Sequence, residues 1–246
     1  MNYSNFIFCG GPAIYDKGRP KSLMKIREGK SLLVHYLMYL KLNTKIMPTK
    51  VYLLCDDKQE SLIKADIKNI TYPVPIEIIP CGKQPNTFEK FCRALNLKKS
   101  LKELVRFGYP DIFLFDELTE VNINDFRSNK LICISATPLT SRFPRLIIDV
   151  YNNKVKGISN YTSPVPANPL YVFGGDLWGS TSCFINLVKE FQLHTKIVSP
   201  SLEYDFFFWL INHNKMNCII LHGKILRIDS LRDINELKNK TANFFN

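Results

Sequence analysis

The sequence predicts an α/β fold in which a mixed, mainly parallel sheet is flanked by helices. Short continuous apolar runs that read as buried strands, such as Phe6-Ile-Phe-Cys9 and Val51-Tyr-Leu-Leu-Cys55, alternate with segments of helical pattern such as the one from Ser31 to about Leu42. Alternation of this kind builds βαβ units, whose ligands bind beyond the carboxyl ends of the strands. The first strand runs straight into Gly10-Gly11 and a basic loop, which marks that strand end as the one to watch.

Each element follows from its residues. Ser31 caps the first helix, and Leu32, Leu33, Tyr36, Leu37, Tyr39 and Leu40 give it a broad apolar face. After the strand at 51–55, Lys58 to Ala65 reads as a short helix, and Val74 to Pro80 as a strand limited by its prolines. Asn86-Thr87 opens a helix expected to reach about Leu104, with Phe91, Ala94, Leu95 and Leu97 apolar. The run Ile112-Phe-Leu-Phe115 then stops at Asp116-Glu117, and Leu131 to Ser135 is a further strand. Leu146 to Asp149 and Val155 to Ile158 form a hairpin around Asn152-Asn153, because Asn tolerates positive φ. Three prolines make Tyr161 to Pro169 a loop, after which Tyr171-Val-Phe-Gly-Gly175 is extended. Helices near Ile185 to Phe191 and Leu202 to His213 precede the last strands, Cys218 to Leu221 and Lys224 to Ile228. Ser230, with Asp233 three residues on, forms an approximate capping box for a closing helix. With no internal repeat and no low-complexity segment, residues 1–246 read as a single domain.

The 46% hydrophobic and 22% charged residues are those of an ordinary globular protein, and disorder is not expected. The net charge of +11 favours polyanionic partners: nucleotides, nucleic acids or membrane surfaces. Nucleic acid is disfavoured, because the basic residues are scattered and neither an arginine-rich tail nor zinc-finger spacing is present. A lysine-rich solvated surface accounts for the charge equally well. Seven cysteines without a C-x-x-C read as reduced core residues of a cytoplasmic protein. The amino terminus lacks a signal-peptide pattern, and no apolar stretch approaches the roughly 20 residues of a membrane span.

The front of the chain is suited to a triphosphate. Glycines at Gly10 and Gly11 let the backbone approach oxygens closely, loop N–H groups face an anion, and Arg19 and Lys21 neutralise it. Asp116 and Asp229 each follow an apolar strand and precede a turn. Asp116 either faces a ligand or simply begins a turn. Brought together, the two acids are the hard oxygen ligands that Mg²⁺ prefers while it keeps waters and substrate phosphates. Nucleotidyl transfer needs this set. Other chemistries are poorly served: the four histidines have no metal-ligand spacing, no G-x-S-x-G elbow is present, and a Walker A loop is absent.

These residues resemble the sugar-nucleotide pyrophosphorylases, and within that family the glucose-1-phosphate cytidylyltransferases. Gly10-Gly11, Pro20-Lys21-Ser-Leu and Ile26 to His35 resemble the family's diglycine, its lysine-proline segment and its helix entry. Asn86-Thr87 followed by Arg93 is similar to the cytidylyltransferases' Asn-Thr-Met-Thr-Gly-Gly-Arg, and Phe115 to Asp125 to their Gly-Asp-Gly-Val-x-Asp-Val-Asn-Ile. Arg142-Phe143 with Asn153 to Ile158 resembles their Arg-Phe-Gly and Val-x-Gly-Phe segments. Most specific is Arg227-Ile-Asp-Ser-Leu-Arg-Asp233, which resembles their Met-Asp-Thr-Leu-Arg-Asp. The resemblance implies a Rossmann-like nucleotide-diphospho-sugar transferase fold, Mg²⁺ held by Asp116 and Asp229, Lys21 on the phosphates, and CTP contacts from Gly10, Gly11, Asn86, Thr87 and Arg93. Two departures stand out. The family's Gly-x-Gly-Thr-Arg-Leu loop is shorter here, with Lys17 or Arg19 in place of its arginine charge. The family's Glu-Lys-Pro falls near Ser159 to Pro164 without a lysine.

The expectation is therefore a cytidylyltransferase that joins CMP from CTP to a phosphorylated small molecule other than a common hexose phosphate. A relative that couples CTP to phosphoglutamine for bacterial capsules makes phosphoglutamine the candidate acceptor. The alternatives are a sugar-1-phosphate nucleotidyltransferase making an NDP-sugar, a glycosyltransferase, or a noncatalytic nucleotide-binding module. The chain lacks the Asp-x-Asp usual in glycosyltransferases, and having both acids argues against a noncatalytic module. A homo-oligomer is compatible with the sequence.

Overall fold

The computed structural model describes residues 2–10, 20–43, 46–97, 101–115, 132–138, 145–159, 171–221 and 224–241. Strand β1 (Tyr3–Phe8) is buried along its whole length. A 3₁₀ turn at Lys21–Leu23 leads to the small ribbon β2 (Lys25–Arg27) and β3 (Lys30–Ser31) and then to helix α1 (Leu32–Asn43). The chain continues through β4 (Lys50–Cys55), α2 (Glu60–Ile67), β5 (Ile76–Pro80), α3 (Thr87–Leu95), β6 (Leu104–Gly108) and β7 (Ile112–Phe115). The second half holds β8 (Ile132–Pro138), β9 (Arg145–Asp149), β10 (Lys154–Ser159), β11 (Tyr171–Ser180) and α4 (Thr181–His194). A π-helical turn at Leu202–Phe206 runs into α5 (Phe207–Asn212), followed by β12 (Met216–Ile220), β13 (Lys224–Arg227) and α6 (Leu231–Lys240).

Nine strands form one mixed sheet in the order β5-β4-β1-β6-β11-β8-β12-β10-β9, and β9 also pairs with β11. The pairings of β11, β8, β12, β10 and β9 thus close on themselves as a small barrel. The first four strands are parallel, as the βαβ pattern predicts. The expectation of a mainly parallel sheet is corrected by the rest. Only β12 with β8 is parallel there, against antiparallel pairings of β11 with β6, β8 and β9 and of β10 with β9 and β12. The physical reason is connection length. A parallel pair needs a crossover of a dozen or more residues, whereas the Asn152-Asn153 turn, with Asn153 at φ 53°, returns the chain at once.

A second correction concerns the helix that opens at Asn86. It ends at Leu95, and Leu104–Gly108 is a central strand hydrogen-bonded to β1 and β11. Arg106 interrupts the apolar run there and hides the strand from a reading of periodicity. Its guanidinium is buried, donating to Asn5 Oδ1 at 3.0 Å, to the Tyr36 hydroxyl at 3.2 Å and to the Asp176 carboxylate. Burial raises the pKa of that carboxyl against the pull of Arg106.

Alternation along the strands supplies the two faces of the sheet. Phe6, Phe8, Tyr52, Leu54 and Phe107 pack with Phe91, Phe184 and Phe206 on the side of α3, α4 and α5. Ile7, Cys9, Val51, Leu53 and Cys55 pack with Leu33, Leu37, Ile63 and Ile234 on the side of α1, α2 and α6. All seven cysteines are buried or half-buried. Among the described residues no helix is long and apolar enough to cross a membrane.

Candidate functional site

The site gathers at the carboxyl ends of β1 and β6, the parallel strands at the centre of the sheet. Past β1, Cys9 N–H donates to the Leu54 carbonyl at 2.8 Å and Gly10 turns away with φ 135°, a conformation that side chains rarely adopt. Past β6 the chain passes through Tyr109 and Pro110 to Asp111, and then enters β7. Strand β13 runs antiparallel to β7 with Arg227 opposite Ile112, and Ile228 N–H donates to the Asp111 carbonyl at 2.8 Å. That register brings Asp229 beside Asp111. The Ser230 hydroxyl and the Asp229 N–H both donate to Asp233 Oδ2, at 2.7 and 3.0 Å, so the cap of α6 also fixes the backbone of Asp229.

Lys21 reaches into this pair from its 3₁₀ turn. Its ammonium lies 2.6 Å from Asp111 Oδ2 and 2.9 Å from Asp229 Oδ1. Burial works to lower its pKa, but the charges and hydrogen bonds of Asp111 and then Asp229 outweigh that effect and raise it. Arg227 Nε stands 3.0 Å from Asp229 Oδ2. Two carboxylates that meet one ammonium also fit a divalent cation such as Mg²⁺, which takes one or two protein carboxylates and completes its shell with water and substrate phosphates. No group of three or more acidic, His or Cys side chains suited to a metal occurs among the described residues, so a full protein cage is not on offer.

Two cavities meet at Asp111 and Tyr109. One, of about 330 Å³, is cationic, and its lining includes Gly10, Lys21, Ser22, Thr87 and Lys90. Lys90 extends from α3 to the end of β1, where its ammonium donates to the Cys9 carbonyl at 2.8 Å. The other, of about 360 Å³, is walled mainly by aliphatic and aromatic side chains such as Ile134, Phe173, Phe207 and Met216, with Glu203 and Arg227 as charged groups. The Tyr109 hydroxyl donates to Glu203 Oε1 at 2.6 Å, and burial pushes the Tyr109 pKa up.

Of the residues singled out in the sequence, Gly10, Lys21, Thr87 and Asp229 come together here. Asn86 serves as the cap of α3: its Oδ1 accepts from Glu89 N–H at 2.8 Å, and its amide donates to Ser199 Oγ at 2.9 Å and the Pro200 carbonyl at 3.2 Å. Arg93 is exposed on α3 and lines neither cavity. Gly11, Lys17, Arg19 and Asp116 lie outside the described residues. Among the described residues, the acid that the β7–β13 ribbon sets beside Asp229 is Asp111. Sequence reading passed over Asp111, Lys90, Tyr109 and Glu203. A signal for Asp111 existed: once Leu104–Gly108 is recognised as a strand, Asp111 is the first acid past its carboxyl end.

A parallel four-strand half joined to a mostly antiparallel ring, with polar side chains gathered at the central strand ends, defines the class as a mixed α/β fold. The same fold occurs in HddC from Yersinia pseudotuberculosis. Its crystal structure matches with a TM-score of 0.73 at 16% identity, over 97% of this chain and 99% of that one. The crystal structure of HddC complexed with GMP-PN matches with a TM-score of 0.69 at 17% identity, over 97% and 99% of the two chains. No protein-family model and no curated protein matches the sequence.

Proposed function

We propose that the protein is a nucleotidyltransferase that joins a nucleoside monophosphate to a phosphorylated small molecule and releases pyrophosphate. The observation that carries this reading is the Lys21 ammonium held between Asp111 and Asp229 at the place where a cationic and an apolar cavity meet. The cationic side suits the triphosphate. The apolar side suits the body of the acceptor, whose phosphate oxygen attacks the α-phosphorus as the bond to the β-phosphate oxygen breaks. Lys21 stays charged and offsets negative charge on the phosphates, while Arg227 steadies Asp229. Asp111 and Asp229 would hold Mg²⁺, freeing the Lys21 ammonium for the phosphates, and the ion would supply charge neutralisation and orient them. Positioning and charge, rather than a covalent protein intermediate, account for the rate.

CTP is the favoured nucleotide on the resemblance of the Asn86-Thr87 stretch. A guanine nucleotide is the competing choice, because HddC of the same fold was crystallised with GMP-PN. A common hexose phosphate is disfavoured because the family's Glu-Lys-Pro falls near Ser159 to Pro164 here without a lysine. Glu203 and Arg227 carry opposite charges in that cavity, which suits the ammonium and carboxylate of an amino acid, and phosphoglutamine remains the candidate acceptor. A role in capsule or surface-polysaccharide precursor synthesis follows from the family resemblance alone. Pyrophosphate release, screened over the four nucleoside triphosphates against phosphoglutamine and a panel of sugar and amino-alcohol phosphates, tests the proposal. Turnover with one nucleotide and a non-sugar acceptor is expected. Turnover only with hexose 1-phosphates would return the protein to sugar activation, and no turnover with any pair would remove the enzyme reading.

A further inference from the structure

Lys90 is 7% exposed, and its ammonium has a single partner among the described residues, the Cys9 carbonyl. An ammonium carries three donors, so two are without a partner among the described residues. Ser22 lines the same cavity, is 1% exposed, and its hydroxyl has no partner among the described residues. Leaving such groups unsatisfied costs free energy, more so for a charged one. The backbone is shaped to admit the ammonium: a Cβ on Gly10 would stand 2.5 Å from Lys90 Nζ, and φ at Gly10 is already in the range that favours glycine. Gly10 therefore does more than let backbone approach a ligand. It makes room for a lysine that arrives from another element.

We infer that Lys90 and Ser22, with the turn at Gly10, form a seat for a phosphate oxyanion of the nucleotide in the cavity that Asp111 also lines. The inference rests on the nucleotidyltransferase reading for the identity of the ligand, but its chemistry is that of any phosphate chain. Lys21 differs from Lys90 in that its charge is already matched by two carboxylates; Lys90 has no carboxylate within ion-pair distance among the described residues. Burial depresses the Lys90 pKa, and the groups that face it are the thiols of Cys9, Cys81 and Cys55 and the Asp56 carboxylate, itself held by the Lys58 and Gln84 backbone N–H groups. An arriving phosphate supplies the missing negative charge. Binding then draws a proton onto the fraction of Lys90 that is neutral, and affinity falls as pH rises through the depressed pKa.

The test is titration of the full chain with CTP, GTP and inorganic pyrophosphate, comparing wild type with Lys90→Met and Ser22→Ala. For Lys90→Met the expected outcome is a loss of roughly ten- to hundredfold in affinity for the probes that wild type binds, with an unchanged or raised melting temperature. Ser22→Ala, which leaves backbone and packing in place, should lose several-fold by the same measure. The fall of affinity with pH above about 8, where a phosphate group of second pKa about 6 is fully ionised, should disappear in Lys90→Met. A structural tie to Cys9 would lower the melting temperature and leave affinity and its pH slope alone. Wild-type affinity in both variants would overturn the inference and leave turnover untouched. If neither nucleotide nor pyrophosphate bound to wild type, the inference would fall too, and the transferase reading would stand or fall separately on the pyrophosphate-release screen. Loss of nucleotide affinity with pyrophosphate affinity intact would also overturn it, by assigning the seat to the base or sugar rather than to phosphate.

Discussion

Lys21 keeps a charge that its burial works against, because Asp111 and Asp229 hold it. On the proposed reading, removing it takes a cation away from the phosphates, and it leaves two acids facing each other. Lys21→Ala is expected to lower turnover by roughly 100- to 1000-fold while far-ultraviolet dichroism stays that of wild type. Its pKa in the folded state lies above the ordinary lysine value, so its contribution to stability is present at neutral pH and is lost only as pH rises through the raised value. The difference in melting temperature between wild type and Lys21→Met should therefore stay level from about pH 6 to about pH 9 and shrink beyond it. Lys21 was legible in the sequence because a proline and a basic loop frame it. Lys90 was not: a lysine on an amphipathic helix reads as solvated, and only the closeness of α3 to the end of β1 shows that it is buried.

At the scale of elements, α3 illustrates how a residue can belong to a motif and still serve the helix. Asn86 and Glu89 cap each other's backbone, and the Asn86 amide ties α3 to the segment at Ser199-Pro200. Asn86→Ala is expected to cost about 0.5–2 kcal/mol in urea unfolding. Arg93→Ala, at an exposed position, should stay within about 0.5 kcal/mol. Strand β6 makes the opposite case, since the residue that concealed it from pattern reading also anchors it. Arg106→Met or Asp176→Asn alone leaves its partner buried without its counterpart, and each is expected to cost about 3–5 kcal/mol. The double variant should cost clearly less than the two together, which equilibrium unfolding measures directly. Strands with unbroken apolar runs were legible for the same reason that β6 was not: periodicity reports burial of apolar side chains and is blind to a buried ion pair.

The whole molecule joins a parallel half, whose strand ends carry the cationic cavity, to a mostly antiparallel ring that walls the apolar one. The first half could be read from alternating strands and helices. The second could not, because the return of β11 beside both β6 and β8 is decided by tertiary pairing rather than by local pattern. The choice of acid follows from the same limit: Asp111 and Asp229 meet through the register of β7 with β13, which no spacing in the sequence records. A net charge of +11 accords with a polyanionic substrate, though the cationic groups that matter are the few drawn to these strand ends. The most direct measurement is kcat/KM for the best nucleotide–acceptor pair in wild type, Asp111→Asn, Asp229→Asn and the double variant. If the two acids and Lys21 act as one centre, each single variant should lose roughly 100- to 1000-fold and the double little more than either. An Asp111→Asn enzyme with wild-type kcat/KM would contradict the account.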